Sequence, residues 1–211
     1  MKLPRIYPIT DTQISGLSHA DQVRLLAEAG ATFVQLREKN LPALDFFDEA
    51  KEAARVIRDA GLTLIVNDRV DIALALKTGV HLGQDDLPPD AARKLLGNQA
   101  IIGFSTHNVS QAIAAASLPV DYVAIGPIFQ TGTKANPDPV VGIDGLRAVR
   151  QAIGAIPLVA IGGITVETAA SVINAGADSV ALISALLSGG RAGISANYRT
   201  LAQHLARHSA E

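Results

Sequence analysis

Short apolar runs recur about every 25 residues along this chain, separated by longer alanine-rich stretches whose apolar positions repeat with helical spacing. Eight runs stand out: "RIYPITD", "TFVQLREK", "TLIVND", "GVHLGQ", "IIGFST", "DYVAIGPIF", "PLVAIGGI" and "SVALISALL". Each is short and rich in β-branched residues, which predicts strands, and helices are expected between all of them. Glycines just ahead of the next run, at Gly30, Gly61, Gly79, Gly97 and Gly176, predict helix stops in the left-handed conformation. Ser18, Pro42 and Thr165 mark helix starts. Strands alternating with helices pair in parallel through right-handed crossovers, and eight such units close a cylinder. The pattern therefore predicts an α/β chain folded as a single (β/α)8 TIM barrel over residues 1–211. An open doubly wound sheet is the runner-up, but "ITDTQISG" stands where its first turn would carry G-x-G-x-x-G.

Composition changes this picture little and excludes several functions. The chain has 211 residues, 48% hydrophobic and 18% charged, enough apolar material for one sizeable core. No stretch approaches the roughly 18 uninterrupted apolar residues of a membrane span, and "MKLPRIYPIT" has prolines and an arginine where a signal peptide needs an apolar block. A cytoplasmic protein that binds neither membrane nor nucleic acid is expected. With no cysteine there is no disulfide, thiolate nucleophile or cysteine metal site. A net charge of −2 gives no general attraction to polyanions, so an anionic ligand needs a local arrangement.

In a barrel of this kind chemistry sits at the carboxyl ends of the strands. Those ends are polar on every strand: Asp11; Gln35, Arg37 and Lys39; Asn67 and Asp68; Gln84, Asp85 and Asp86; Ser105, Thr106 and His107; Thr131, Thr133 and Lys134; Gly162 and Gly163; and Ser184 within "LISALL", taken as part of strand eight. In "VQLREKN" alternate side chains share a face, so Gln35, Arg37 and Lys39 point together and suit a polyanion such as a diphosphate, unless this is simply an exposed strand end. Asp68 and Asp86 close neighbouring strands and suit a hard cation, magnesium first, but each could instead cap the helix that follows it. "AIGGI" falls where such barrels often bind phosphate through backbone N–H groups, although a GG pair by itself is as well explained by a tight turn. His107 stands at the mouth or at the shoulder of the next helix, with no proton-transfer role assigned. His81 is expected to be a packed strand residue, since no second histidine lies at metal spacing.

Taken together, "YPITD", "VQLREKN", "IVNDRVDIAL", "GVHLGQDDL", "GFSTHN", "DYVAIGPIFQTGTK", "AIGGIT" and "GADSVALIS" resemble the thiamine phosphate synthase family over nearly the whole chain. The resemblance implies an enzyme, a transferase. It joins an aminopyrimidine carrying a methyl diphosphate to a thiazole phosphate, giving thiamine phosphate and diphosphate with Mg2+ as cofactor. It further implies that the stretch Gln35, Leu36, Arg37, Glu38 and Lys39, with Asn67, Ser105 and Lys134, holds the pyrimidine diphosphate. Arg37, Lys39, Ser105 and Lys134 are its catalytic candidates. Asp68 and Asp86 would hold the metal, and Thr131, Gly132 and Thr133, with Gly163, Ile183 and Ser184, the thiazole phosphate. One residue fewer than the family pattern separates strand three from "HLGQ", which leaves Asp86 in register with its own motif.

Three other readings compete. A thiazole tautomerase on the same barrel resembles "LREK" and "NDRVDIAL", but its catalytic histidine stands where this chain has Pro127. A non-catalytic phosphate-binding barrel would bind a thiamine precursor without turnover. A Schiff-base aldolase would need Lys39 or Lys134 in apolar surroundings, which the neighbouring sequence does not supply.

Overall fold

A computed structural model of the chain describes residues 1–132 and 138–208. The first half runs β1 (Ile6–Thr10), α1 (Thr12–Ser15), α2 (His19–Glu28), β2 (Phe33–Leu36), α3 (Ala43–Ala60), β3 (Thr63–Asn67), α4 (Val70–Leu76), β4 (Gly79–Leu82) and α5 (Pro89–Leu96). The second runs β5 (Ile102–Thr106), α6 (Val109–Ala115), β6 (Tyr122–Ile125), α7 (Gly142–Ile153), β7 (Leu158–Ile161), α8 (Val166–Asn174), β8 (Ser179–Leu182), α9 (Ser184–Leu187) and α10 (Gly190–Arg207). All neighbouring strands pair in parallel in the order β1 to β8, and β8 closes onto β1. The expected (β/α)8 barrel is the observed fold. Among the described residues no helix is long and apolar enough to cross a membrane.

Strand alternation divides the apolar residues between two cores. Outward residues such as Val34, Leu36, Val66, Val80, Leu82, Val123 and Val180 pack against the helices in the larger core. Inward residues fill the lumen with Tyr7, Ile9, Phe33, Ile65, Tyr122, Ala124, Val159 and Ala181. Two glycines make room for the large ones. A β-carbon at Gly103 would lie 2.0 Å from Tyr122 Cζ, and one at Gly79 would lie 2.4 Å from Ile65 Cδ1. Gly79 is thus the first residue of β4 rather than the expected helix stop, because the lumen needs its missing side chain. The left-handed position that ends α4 falls on Lys77 (φ 56°).

The other expected stops, at Gly30, Gly61, Gly97 and Gly176, all have positive φ. Ser18 accepts the Asp21 N–H, and Thr165 forms a reciprocal capping box with Thr168. The eighth run is a correction: β8 ends at Leu182, and Ser184 begins the short helix α9 rather than extending the strand. Its last apolar residues, Leu186 and Leu187, are buried from the helix.

Gly103→Ala should lower unfolding stability by about 1–3 kcal/mol or more, because the Tyr122 ring has packed neighbours on every side and little room to withdraw. The urea midpoint measures this. A midpoint equal to the parent's would show that the lumen tolerates the methyl group and that Gly103 is not needed for space.

Candidate active site

Because all strands run the same way, their carboxyl ends converge on one mouth. The two cations following β2 are each held by a carboxylate from a neighbouring strand. Arg37 Nη1 donates to Asp11 Oδ2 at 2.6 Å, while Asp11 Oδ1 accepts the N–H groups of Gln13 and Ile14 at the start of α1. The Lys39 ammonium is bonded to the Asp68 carboxylate. Gln35, predicted to share their direction, is only 3% exposed and its amide nitrogen donates inward to the Tyr7 hydroxyl at 2.8 Å. The stretch is therefore not a merely exposed strand end. It is a graded one, buried at Gln35, partly open at Arg37 and half-exposed at Lys39.

Neither candidate metal carboxylate caps a helix. Asp68 adopts the left-handed region (φ 62°), which aspartate tolerates better than most residues, and its N–H donates to the His81 carbonyl at 2.8 Å. Arg69, not Asp68, precedes α4, without a side-chain cap. Asp86 Oδ2 instead accepts the Gly83 N–H at 2.7 Å within its own turn, and α5 follows Pro88 uncapped by any side chain. The two carboxylates lie against each other. Burial first, then contact with Asp68, pushes the Asp86 carboxyl above the ordinary carboxylate range, against the pull of the Gly83 N–H and the Lys39 charge. Two crowded carboxylates with hard oxygen donors fit a small divalent cation. Among the described residues no three potential ligands gather, so phosphate and water would complete its coordination.

Ser105 faces the mouth from β5, its Oγ 2.8 Å from His81 Nε2 and its carbonyl accepting the Gln84 amide at 2.6 Å. Asn67 ends β3 beside His81, largely buried. Two members of the predicted set stand apart. Leu36 is fully buried in the outer core. Glu38 turns its carboxylate into its own loop, accepting N–H bonds from Lys39, Asn40 and Leu41 and a hydroxyl bond from Thr12. Burial alone would raise the Glu38 carboxyl, but the bonds from Asn40, Thr12 and Leu41 outweigh it and hold it below its usual range. Any part these two take in binding runs through backbone position rather than side-chain contact.

The loop after β6 lies on the end of β7. Ile128 and Phe129 donate to the carbonyls of Ile161 and Gly162, both at 2.9 Å. Gly162 and Gly163 both have positive φ, and a β-carbon at Gly163 would lie 2.5 Å from the Gln130 carbonyl oxygen. The pair is thus needed for a turn and for a close approach of two loops. Gly163 follows β7, and Ile183 and Ser184 follow β8, the strand paired with it. Thr131 and Gly132 end the described segment, while Thr133 and Lys134 lie outside the described residues. His107 precedes the Asn108 cap of α6 and bonds through Nδ1 to the Gly126 carbonyl at 2.8 Å.

A profile of the thiamine monophosphate synthase family matches residues 6–186. The chain belongs to this family. It is 48% identical to the thiamine-phosphate synthase of Chloroflexus aurantiacus, over 87% of this chain and 85% of the relative. To that of Methanoculleus marisnigri it is 43% identical over 98% and 97%. The solved thiamine phosphate pyrophosphorylase of Pyrococcus furiosus superposes with a TM-score of 0.86 at 32% identity, covering 97% of this chain and 96% of that one. A 4-hydroxy-2-oxoglutarate aldolase structure with a TM-score of 0.69 and 19% identity shares the fold alone.

Within this thiamine phosphate synthase barrel, three residues have partners that the sequence does not show. Asp11 was noted as a strand end but not as the partner of Arg37, a pairing visible once β1 and β2 are placed side by side. Glu38 was grouped with its neighbours although alternation turns it the opposite way. His81 was expected to be packed, and it is, but it also touches Ser105.

The raised Asp86 carboxyl has a measurable sign. A folded-state pKa above the unfolded value means that the folded protein binds the proton more tightly; that contribution is present below the unfolded pKa and is lost as pH rises through the folded one. At neutral pH, without divalent metal, Asp86→Asn should therefore raise the thermal midpoint relative to the parent. The gain should vanish on acidification below the ordinary carboxylate range. A lower midpoint at neutral pH would mean that the Gly83 and Lys39 contacts outweigh burial and repulsion.

Proposed function

We propose that this protein is a thiamine-phosphate synthase that joins the methylene carbon of an aminopyrimidine methyl diphosphate to a thiazole phosphate and releases diphosphate. The observation that carries the reading is the meeting of Arg37, Lys39, Asp68 and Asp86 at adjacent strand ends in a chain of this family. The bond between the pyrimidine methylene and the diphosphate oxygen breaks with its electron pair going to diphosphate. The thiazole nitrogen lone pair then forms the new C–N bond. That nitrogen needs no proton removed before attack, so the chemistry asks for no strong general base. It asks for stabilised departure, assisted by an electron-rich ring that can bear a benzyl-like cation.

The chain's own groups suit that task. The bond to Asp11 engages Nη1 of Arg37 and fixes the guanidinium, whose fork has further donors for a diphosphate. Lys39, half-exposed, can turn from Asp68 to the leaving group as negative charge develops there. Asp68 and Asp86 would hold Mg2+, which supplies charge neutralisation on the diphosphate when bound. Ser105 and Asn67 flank the pyrimidine side. First-turn N–H groups of a helix have no partner within it, so Gly163 and the start of α9 at Ile183 and Ser184 suit the thiazole phosphate. Thr131, Gly132, Thr133 and Lys134 would complete the site from the loop after β6. A soluble, cytoplasmic location fits such substrates.

Mixing the purified protein with both phosphorylated precursors and Mg2+ should release thiamine phosphate and diphosphate in equal amounts. Isomerisation of a thiazole carboxylate phosphate without condensation would assign the tautomerase activity instead, and binding without turnover would leave a phosphate-binding barrel.

Asp68→Asn and Asp86→Asn should each raise the Mg2+ concentration for half-maximal rate, by about tenfold or more for loss of one charged ligand. An unchanged magnesium dependence in both variants would remove these carboxylates from the metal site.

A further inference from the structure

Buried polar groups cross the lumen beneath the mouth in one unbroken line. Gln35 Nε2 lies 2.8 Å from Tyr7 Oη, Tyr7 Oη lies 2.7 Å from Tyr122 Oη, and Tyr122 Oη lies 3.0 Å from His81 Nδ1. His81 Nε2 lies 2.8 Å from Ser105 Oγ. The rings are held in place. Tyr122 stacks on His81 with centroids 5.6 Å apart, Tyr7 meets Phe33 and Tyr122 edge-on, and Gly103 leaves the space that Tyr122 occupies.

With the amide nitrogen of Gln35 turned to Tyr7, the hydrogens along this line have one consistent arrangement. An amide nitrogen only donates, so Tyr7 accepts from Gln35 and its single hydrogen must go to Tyr122. Tyr122, having accepted, passes its own hydrogen to His81 Nδ1. A buried O–H without an acceptor costs about 1–3 kcal/mol, which rules against turning either hydroxyl round. Nδ1 therefore carries no hydrogen, and His81 donates from Nε2 to Ser105. Burial keeps the imidazole neutral by pushing it down to about 4, with the Lys39 charge acting the same way and Asp86 opposing. Burial also raises both tyrosine hydroxyls well above their ordinary value, so each keeps its hydrogen.

We propose that this one-directional chain, Gln35 to Tyr7 to Tyr122 to His81 to Ser105, makes Tyr7, Tyr122 and His81 positioning residues that turn the Ser105 hydroxyl hydrogen out toward the bound pyrimidine diphosphate. The role rests on the synthase reading, although the direction of the chain does not. With one lone pair engaged by His81, the Ser105 hydrogen is free to be donated to a ring nitrogen or phosphate oxygen. The reverse chain would present lone pairs to an anionic substrate and repel it.

Nitrogen-15 NMR of the ligand-free protein, with the His81 signals assigned by their loss in His81→Asn, reads the direction independently of activity. A pyrrole-like Nε2 and a pyridine-like Nδ1 are expected at neutral pH, and a hydrogen on Nδ1 overturns the proposal. Failure of the parent to condense the precursors would defeat the synthase reading while leaving this measurement intact. In the active enzyme, Tyr122→Phe should lower kcat/KM for the pyrimidine diphosphate about tenfold, the worth of one hydrogen bond, while sparing the KM for the thiazole phosphate. In a Ser105→Ala background the same change should cost little, since the group being oriented is gone. Should Tyr122→Phe not fold, Tyr7→Phe takes its place in the cycle with a smaller expected loss. Additive losses would make the chain structural support and nothing more.

Discussion

A closed parallel barrel places every second residue of each strand inside a narrow lumen, and that alternation governs this molecule. The lumen is closely packed, so Tyr122 and Ile65 can be accommodated only where Gly103 and Gly79 have no side chains. A tyrosine ring brought into that interior carries a hydroxyl that must find a partner. The hydroxyls of Tyr7 and Tyr122 find each other, then Gln35 and His81, and the line surfaces at Ser105. Packing at the centre and polarity at the mouth are thus parts of one arrangement.

Electrostatics at the mouth follow a second rule, that neighbouring strand ends complement one another. The segment after β1 supplies Asp11 to Arg37 just beyond β2, and the turn after β3 supplies Asp68 to Lys39. These partnerships hold long cationic side chains over the mouth before any ligand arrives, reducing the ordering that binding requires. The exception is Asp86, whose carboxylate is crowded by Asp68 and only partly offset by Lys39 and the Gly83 N–H. An arrangement that leaves one carboxylate disfavoured is suited to receive a further positive charge.

The loops that carry these groups are themselves braced. Glu38 gathers the N–H groups of the three residues that follow it, setting the path on which Lys39 stands. The loop after β6 leans on the paired glycines after β7, where any side chain would collide with its backbone. Such bracing keeps the polar side chains on irregular segments as well placed as those on strands.

How far the sequence reached is clearest residue by residue. Eight apolar runs at even spacing determined the number and order of strands, hence the barrel, because periodicity and crossover handedness act locally. The same runs placed Arg37, Lys39, Asp68, Asp86 and Ser105 at the mouth, since a strand end is visible as a change from apolar to polar. Four things were decided only by tertiary structure. Gly79 reads as a helix stop but makes room for Ile65 on the neighbouring strand, and Ser184 reads as strand but starts a helix. Asp68 and Asp86 looked equally like caps, and only the backbone path past φ 62° and the bond to Gly83 turned them elsewhere. Tyr7 and Tyr122 stand 115 positions apart in the chain, and nothing in their own runs shows that their hydroxyls meet. Their hydrogen bond exists because closing the barrel brings inward-facing residues of β1 and β6 together, whereas the one from His81 to Ser105 joins neighbouring strands. Periodicity shows which way a side chain points, but what it meets there is set by closure.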